Sequence, residues 1–168
     1  MRGRDELTQL LGNECVKKTH PRIVLRGKLD TLQAQMLMAQ VECIRAGEAG
    51  AAASLEELLG YTRSVMAAEV LGRETPELRM AGMDGEAIHE ASHHPERLCP
   101  SGHLNVTAAM GGAMAAVNLC RAVAREAELA AVAAFDPERE GARPDILRGM
   151  NRLSSALYVL MLQLAAGG

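Results

Sequence analysis

Two arginines, Arg121 and Arg125, lie four positions apart in a segment whose pattern predicts a helix, so both guanidinium groups project from one side of it. A guanidinium presents several N–H donors in a fixed fork that suits phosphate oxygens. The pair therefore indicates a site for a polyphosphate. An alternative stays open, in which both arginines are solvated and matched to Glu126 and Glu128. Asp30, beside the apolar stripe of an earlier helix, is a candidate buried partner for one arginine.

Two further polar groups could contact an anion. Six basic side chains fall within twelve positions before and inside the earlier helix: Lys17, Lys18, His20, Arg22, Arg26 and Lys28. An arm that precedes a helix can fold over a bound anion, although such a patch is more often only solvated. Toward the other end of the chain, four polar side chains surround one core leucine: Asn151, Arg152, Ser154 and Ser155. That run is equally typical of an ordinary helix surface.

Histidines and one cysteine form the clearest metal-ligand candidates: His89, His93, His94, Cys99 and His103. His89 and His93 share a helix face, and these ligand types suit zinc or iron. The spacing matches no compact zinc motif, and histidines near prolines are commonly loop-packing residues. We therefore predict no metal site, and keep four of these residues as weaker candidates: His89, His93, Cys99 and His103. Neither a GxSxG nucleophile motif nor a GxxxxGKS or GxGxxG phosphate loop occurs.

The composition limits the elements that must position these residues. The chain has 168 residues, which favours one domain, and its 48% hydrophobic content includes only three aromatics. Abundant Ala, Leu, Met, Glu and Arg favour helices and exclude an all-β domain. A net charge of -3 excludes the general basic footprint of a nucleic-acid binder. The four cysteines form no CxxC pair and are predicted to be free thiols.

Apolar residues that recur every three or four positions predict a helix over 25–46 and its buried face: Leu25, Leu29, Leu32, Met36, Ala39 and Cys43. Ser54 with Glu57 resembles a capping box and predicts a second helix from 54 to 71. Prolines interrupt the rest of the chain, and the segments between them predict three more helices: a short one at 84–93, a long one at 105–134, and a last one from Pro144.

These elements predict an all-α, up-and-down bundle of four long helices and a shorter one. Residues 1–24 are expected to be an irregular arm that forms part of the nucleotide site, and residues 25–168 the bundle domain. The uncharged run 104–120 contains Asn105, Thr107 and Asn118, so a buried helix is predicted there and not a membrane span. The charged start MRGRDELTQLLG shows no secretory signal, so a cytoplasmic location is expected.

Four blocks, in this order, resemble the ATP:cob(I)alamin adenosyltransferase family, most closely its ethanolamine-utilisation type. They are VKKTHPRIVLRGKLDTLQA (16–34), HEASHHP (89–95), LCRAVAREAE (119–128) and RPDILRGMNRLSSALYVLM (143–161). The resemblance implies a cobalamin adenosyltransferase bundle that transfers the 5'-deoxyadenosyl group of ATP to the cobalt of a reduced corrinoid and releases triphosphate. It also implies Mg²⁺ with the ATP and a homo-oligomer, trimer or dimer, with active sites between subunits. A corrinoid reductase or an adenosylcobalamin-dependent enzyme would be a partner, in the cytoplasm or a bacterial microcompartment.

The resemblance assigns roles to particular residues. Asp30, Arg121 and Arg125 would be catalytic, with Asp30 paired to Arg121. The nucleotide would be bound by Lys18, Arg22, Arg125, Asn151 and Arg152. The chain departs from the family in three places: Asn105 stands where the wider family has an aromatic, the TGDxG phosphate loop is absent, and so is the CCxxC metal cluster of some ethanolamine-type members. Two rival functions stay open, namely a non-catalytic corrinoid or nucleotide binder, and a metal-dependent bundle protein that uses the histidines.

Overall fold

Five helices form an up-and-down bundle in the computed structural model, which describes residues 5–100, 102–136, 138 and 140–167. They are α1 (Pro21–Arg45), α2 (Ala49–Leu71), the short α3 (Gly85–His93), α4 (Gly111–Ala134) and α5 (Pro144–Gly167). Helix α1 packs against α2 and α4, and α5 packs against α4, α3 and α2. The predicted all-α bundle is therefore confirmed.

Helix α1 begins four residues before the predicted start. His20 Nδ1 accepts the N–H of Arg22 at 3.3 Å, and Pro21 occupies the first helical position, where its missing N–H costs nothing. The predicted inner face is confirmed in full: Leu25, Leu29, Leu32, Met36, Ala39 and Cys43 are all buried. This stripe faces α2 on one side and α4 on the other, which fixes the rotation of α1 about its axis.

The predicted start of the second helix at Ser54 is wrong. Helix α2 begins at Ala49, and Ser54 lies inside it, only 5% exposed. The small residues before Ser54 are mostly alanines, which favour helix more than the capping geometry favours an end there. The predicted end at Leu71 is confirmed, because Gly72 follows in the left-handed conformation that terminates helices.

The N-terminal arm contains a β-hairpin where an irregular segment was predicted. Its strands are β1 (Leu7–Leu11) and β2 (Glu14–Lys17), paired antiparallel. The pairing is irregular between Gln9 and Leu11, so Leu10 forms a bulge and its carbonyl is free for other partners. The first four residues of the predicted arm lie outside the described residues. A second, very small hairpin, β3 (Arg79–Met80) with β4 (Met83–Asp84), precedes α3.

The remaining helix boundaries follow local chemistry. Helix α3 is confirmed, with the Asp84 carboxylate accepting the N–H of Ala87 at 2.9 Å as its cap. Helix α4 begins at Gly111, later than predicted, because the backbone before it forms one 3₁₀ turn and Gly111 has φ +85°. Helix α5 begins at Pro144 as predicted. Gly168, the end of the predicted domain, lies outside the described residues.

Helices α2 and α5 approach closely at one point. The Tyr61 hydroxyl occupies the space where a Cβ on Gly149 would lie, so only glycine is tolerated at this position of α5. Burial raises the pKa of Tyr61 to about 12, and the nearby Asp145 carboxylate contributes to the shift. Within the described residues, no helix combines the length and the apolar character that crossing a bilayer would need.

Candidate active site

Two adjoining cavities open on the face that α4 and α5 share with the loop before α4. The smaller, of about 170 Å³, is lined by Ser92, His93, Arg121, Arg125, Ser154, Ser155 and Tyr158. The larger, of about 440 Å³, is lined by His103, Leu104, Asn105, Val106, Asn118, Arg121, Tyr158 and Met161. Arg121 and Tyr158 line both cavities and therefore stand at their junction. We call the two together the α4–α5 groove.

Arg121 and Arg125 point into this groove as their spacing predicts. The Arg121 guanidinium donates through Nε and Nη2 to Asn118 Oδ1, at 3.1 and 3.0 Å, which holds it at the junction. Arg125 is exposed, and across the described chain it has no hydrogen bond or ion pair. The glutamates that could have neutralised the pair are engaged elsewhere, since Glu126 contacts Lys28 and Glu128 accepts from Asn151. The smaller cavity therefore presents uncompensated positive charge.

Asp30 is exposed on α1, so within one chain it is not the buried partner of an arginine that the sequence suggests. It follows Leu29 of the buried stripe, and one residue along a helix turns the side chain by about 100° away from that stripe. Arg121 is bonded to Asn118. Within the described chain Asp30 and Arg121 form no hydrogen bond or ion pair with each other.

Asn151 and Arg152 form a chain of hydrogen bonds that links α3, α4 and α5, and neither side chain lines the two cavities of the groove. Asn151 Nδ2 donates to Glu128 Oε1 at 2.9 Å, which ties α5 to α4. The Arg152 guanidinium donates from Nη1 to Asn151 Oδ1 at 3.0 Å and from Nη2 to Glu86 Oε1 of α3 at 3.1 Å. The Asn151 amide is therefore held in one orientation by two charged neighbours. Ser154 and Ser155 lie one turn further along α5 and line the smaller cavity.

The basic residues of the N-terminal segment separate into two groups. Lys17 and Lys18 are exposed at the end of the hairpin. Arg22 and Arg26 instead contact the buried carboxylate of Glu69 on α2, and Lys28 contacts Glu126 at 2.6 Å. Half of the predicted basic patch is thus already paired with carboxylates within the chain.

The histidine segment does not assemble a ligand set. The rings of His89 and His93 meet edge to face with their centroids 4.3 Å apart, while His103 lines the larger cavity and Cys99 is buried. No group of three His, Cys, Asp or Glu side chains among the described residues could hold a metal ion. Desolvation and the nearby Arg152 lower the pKa of His89, so this imidazole is neutral at pH 7. Its ring packs α3 against α5.

Three residues that sequence reasoning missed shape this part of the molecule. Tyr158 is the aromatic of the groove, and its hydroxyl is buried without a hydrogen-bond partner in the described structure. Asn118 orients Arg121, and Glu69 is a fully buried acid. Glu69 alone carried a usable signal, because it is a single charge within the apolar run MAAEVL. A tyrosine or asparagine at helical spacing carries no comparable signal.

The groove can therefore hold two ligands of different chemistry side by side. Its smaller part offers two guanidinium groups and three serine hydroxyls, which suit phosphate oxygens. Its larger part combines the apolar side chains Leu104, Val106 and Met161 with two amides and an imidazole, which suit a broad, mostly apolar ligand with polar edges.

Comparison with known proteins gives relatives in sequence and in structure. The corrinoid adenosyltransferase EutT of Escherichia coli K12 is 35% identical over 159 residues, which are 94% of this chain and 58% of that protein. EutT of Salmonella typhimurium LT2 is 31% identical over the same shares. The chain thus spans about 58% of the length of these curated relatives.

Two solved structures, both of variants of a PduO-type ATP:corrinoid adenosyltransferase from Lactobacillus reuteri complexed with cobalamin and ATP, share the fold. The TM-scores are 0.73 and 0.72 at 18% sequence identity, with 99% of this chain covered and 91% and 89% of theirs. The sequence model of the family described as cobalamin adenosyltransferase matches residues 1–164. The chain therefore belongs to the cobalamin adenosyltransferase family.

Proposed function

We propose that the protein transfers the 5'-deoxyadenosyl group of ATP to the cobalt of a reduced corrinoid, forming adenosylcobalamin and releasing triphosphate. The observation that carries this proposal is the α4–α5 groove, in which a cationic cavity and a larger, more apolar cavity meet at Arg121 and Tyr158. Transfer between two substrates needs both of them held in contact, and two adjoining cavities of unlike chemistry supply that arrangement. Membership of the family and the EutT relatives agree with it.

The bonds that form and break in this reaction belong to the two substrates and not to the protein. The electron pair of cob(I)alamin attacks C5' of ATP, a cobalt–carbon bond forms, and the bond from C5' to the triphosphate oxygen breaks. Cobalt is formally oxidised from Co(I) to Co(III), and the leaving triphosphate takes the electron pair of the broken bond. The protein must therefore align the two reacting atoms and stabilise the negative charge that develops on the leaving group.

Arg125 and Arg121 would contact the triphosphate. Arg125 has no partner within the described chain, so its donors are free for phosphate oxygens, and Arg121 is oriented toward the same cavity by Asn118. Asn151 would contact the nucleotide, and Arg152 would position it through the bond from Nη1 to Asn151 Oδ1. Lys18 would add a further cation from the hairpin. Arg22, expected from the sequence to bind nucleotide, has its guanidinium on Glu69, so we leave it out of the phosphate contacts.

The corrinoid would occupy the larger cavity, where Leu104, Val106 and Met161 meet its apolar face. Asn105 lines this cavity at the place where the resemblance leads one to expect an aromatic. Tyr158, on α5, supplies the aromatic surface of the groove instead. Excluding water from this cavity would favour a cobalt centre without a lower axial ligand.

Mg²⁺ would accompany the ATP, since this ion is usually held by substrate phosphates with one or two carboxylates. Glu128, whose Oε1 accepts from Asn151, is the carboxylate of α4 placed beside the nucleotide residues. It would contact the hydrated ion. The ion would neutralise part of the triphosphate charge.

A homo-oligomer, trimer or dimer, would complete the site. Large apolar side chains are exposed on α1 and α4: Leu37, Met38, Val41, Ile44, Leu119, Leu129 and Val132. Exposed apolar side chains of this size favour association with a second copy. Within the described chain Asp30 and Lys18 line neither cavity of the groove, and a neighbouring copy would bring them to Arg121 and Arg125. We further propose that the protein acts in the cytoplasm or a bacterial microcompartment, beside a corrinoid reductase or an adenosylcobalamin-dependent enzyme.

An anaerobic assay with purified protein, Mg-ATP and chemically reduced cobalamin tests the proposal. We expect the cob(I)alamin absorption band to disappear only when protein and ATP are both present, and the adenosylcobalamin spectrum to replace it. Stable binding of cobalamin or ATP by the folded protein without product would contradict the transferase and favour the binding function. Loss of activity on chelation, together with stoichiometric zinc or iron, would favour the metal-dependent alternative.

A further inference from the structure

We propose that Glu69 and Arg26 anchor the N-terminal hairpin, and that this anchor positions Lys17 and Lys18 for the nucleotide. Glu69 and Arg26 are therefore positioning residues and not ligands. The inference rests on the proposed function for its kinetic consequence, whereas its structural part concerns the hairpin alone.

Glu69 lies on α2 with no exposed side-chain surface, and two arginines of α1 satisfy its carboxylate. Arg22 Nε donates to Oε1 at 2.5 Å, and Arg26 Nε donates to Oε2 at 2.6 Å. Arg26 Nη2 also reaches Oε1 at 3.3 Å. A buried carboxylate is costly unless it is paired and hydrogen-bonded, and here both oxygens are.

Each arginine uses its remaining donors on a different backbone carbonyl. Arg22 Nη2 donates to the carbonyl of Glu69 at 3.1 Å, in the last turn of α2, where carbonyls lack helical partners. Arg26 Nη2 donates to the carbonyl of Leu10 at 3.0 Å. Leu10 is the bulge residue of the hairpin, so its carbonyl is not used in the strand ladder. Arg26 is therefore the arginine that ties the hairpin to the bundle.

The hydrogen bond from Arg26 to the Leu10 carbonyl also explains what holds the hairpin against the bundle. Its strands have five and four residues, and an isolated two-stranded hairpin of this length is marginal in water. Leu10 is 5% exposed, so the bulge also turns its side chain into the protein. Lys17 ends β2 and Lys18 follows it. The backbone N–H of Lys18 donates to the backbone carbonyl of Glu6 at 2.9 Å. Fixing Leu10 therefore fixes the strand pair that carries both lysines.

The balance of charges around Glu69 shows why its carboxylate is needed for the hydrogen bond from Arg26 to the Leu10 carbonyl. Two guanidinium groups, each about four-fifths buried, converge on one carboxylate. Without its charge the arginines would repel one another in a partly buried place, and Arg26 would move toward water and release Leu10. The ring of Phe135, 5.7 Å from the Arg22 guanidinium, covers Arg22 on another side.

A nitroxide on Cys15 tests the anchor in the full-length protein. Cys15 pairs with Gln9, next to Leu10, and it is the exposed cysteine, whereas the other three are buried. A thiol-specific label therefore reports motion of the hairpin. Arg26→Met removes the bond to Leu10 but leaves Glu69 paired with Arg22. Arg22→Met is the matched spectroscopic control, because Arg26 then keeps both Glu69 and Leu10.

We expect Arg26→Met to convert the ordered electron paramagnetic resonance spectrum into a mobile one, and Arg22→Met to leave it ordered. Glu69→Gln should mobilise the label as Arg26→Met does if it folds, and circular dichroism establishes whether it does. An ordered label in Arg26→Met, or equal mobility in both arginine variants, would overturn the anchor. The spin-label experiment needs neither ATP nor corrinoid, so its outcome does not depend on the proposed function.

Steady-state kinetics test the consequence for the nucleotide. We expect Arg26→Met to raise KM for ATP about tenfold or more, the size of one lost charge-assisted contact, with kcat at saturating ATP and KM for the corrinoid unchanged. A purely structural role would lower the unfolding temperature without this split between substrates. A mobile hairpin with unchanged KM for ATP would overturn the positioning role, and absence of turnover in the wild type would instead refute the proposed function.

Discussion

Replacing Arg125 by alanine should damage the use of ATP while leaving the fold intact. Arg125 is exposed on α4 and makes no hydrogen bond or ion pair within the described chain, so its removal costs no polar contact of the folded chain. Surface substitutions of this kind usually change the free energy of unfolding by less than about 0.5 kcal/mol. Any large effect must therefore come from a bound ligand.

The size of that effect follows from the contact removed. A hydrogen bond to a charged group contributes about 1.5 to 3 kcal/mol, which corresponds to a loss of about 10- to 150-fold in kcat/KM for ATP. Arg125→Lys should recover part of the loss, because the charge returns but the fork of donors does not. Because Arg125 lines the smaller cavity and not the larger one, KM for reduced cobalamin should change little.

The assay is initial-rate formation of adenosylcobalamin under anaerobic conditions, with ATP and corrinoid varied separately. Arg63→Ala is the matched control, since Arg63 is an exposed arginine of α2 that lines no part of the groove. Equal ATP kinetics in wild type, Arg125→Ala and Arg63→Ala would refute the placement of the triphosphate. So would a loss confined to the corrinoid.

Three further predictions concern other contacts. Gly149→Ala should lower the free energy of unfolding by about 1 to 3 kcal/mol in denaturant melts, since the new Cβ meets the Tyr61 hydroxyl; an unchanged melting curve would contradict this close approach. Hydrogen bonding to Arg143 lowers the pKa of Asp145 to about 2, so the stability that Asp145 contributes is full above pH of about 4 and is lost as the pH falls toward 2. The stability gap between wild type and Asp145→Asn should therefore narrow over that range, and a constant gap would argue against it. Tyr158→Ala should weaken corrinoid binding in equilibrium dialysis, whereas Tyr158→Phe should preserve it, because the ring lines the groove and the hydroxyl is buried. Equal losses of binding in both variants would contradict this reasoning.

The sequence predicts the helices well where the pattern is amphipathic or carries a clear terminator. The α1 stripe from Leu25 to Cys43 recurs at helical spacing and is buried as predicted. Pro144 and the Gly72 terminator fix two boundaries through backbone geometry alone, without any tertiary contact. Local chemistry is therefore enough for these elements.

Tertiary contacts explain what the sequence could not predict. The hairpin at 7–17 has weak local signals and depends on a bond from Arg26 to Leu10, sixteen positions away in the chain. Ser54 looks like a cap, but it is buried inside α2. Capping motifs are read over four residues, whereas burial is decided by the packing of whole helices.

The residues of the candidate site also fall into those that the sequence predicts and those that depend on tertiary contacts. The spacing of Arg121 and Arg125 correctly predicts that they share a face, because i,i+4 neighbours always do on a helix. The orientation of Arg121 by Asn118 and the aromatic wall from Tyr158 depend on which faces of α4 and α5 meet. The roles of Lys18, Asp30, Asn151 and Arg152 toward substrate remain predictions.

The stoichiometry of a single turnover tests the transferase most directly. Protein in excess over cob(I)alamin, with ATP labelled in its adenosine moiety, is quenched anaerobically, and the corrinoid and phosphate products are separated. Attack at C5' predicts one labelled adenosylcobalamin and one inorganic triphosphate for each corrinoid consumed. Release of ADP and phosphate, or corrinoid recovered without label, would contradict the account.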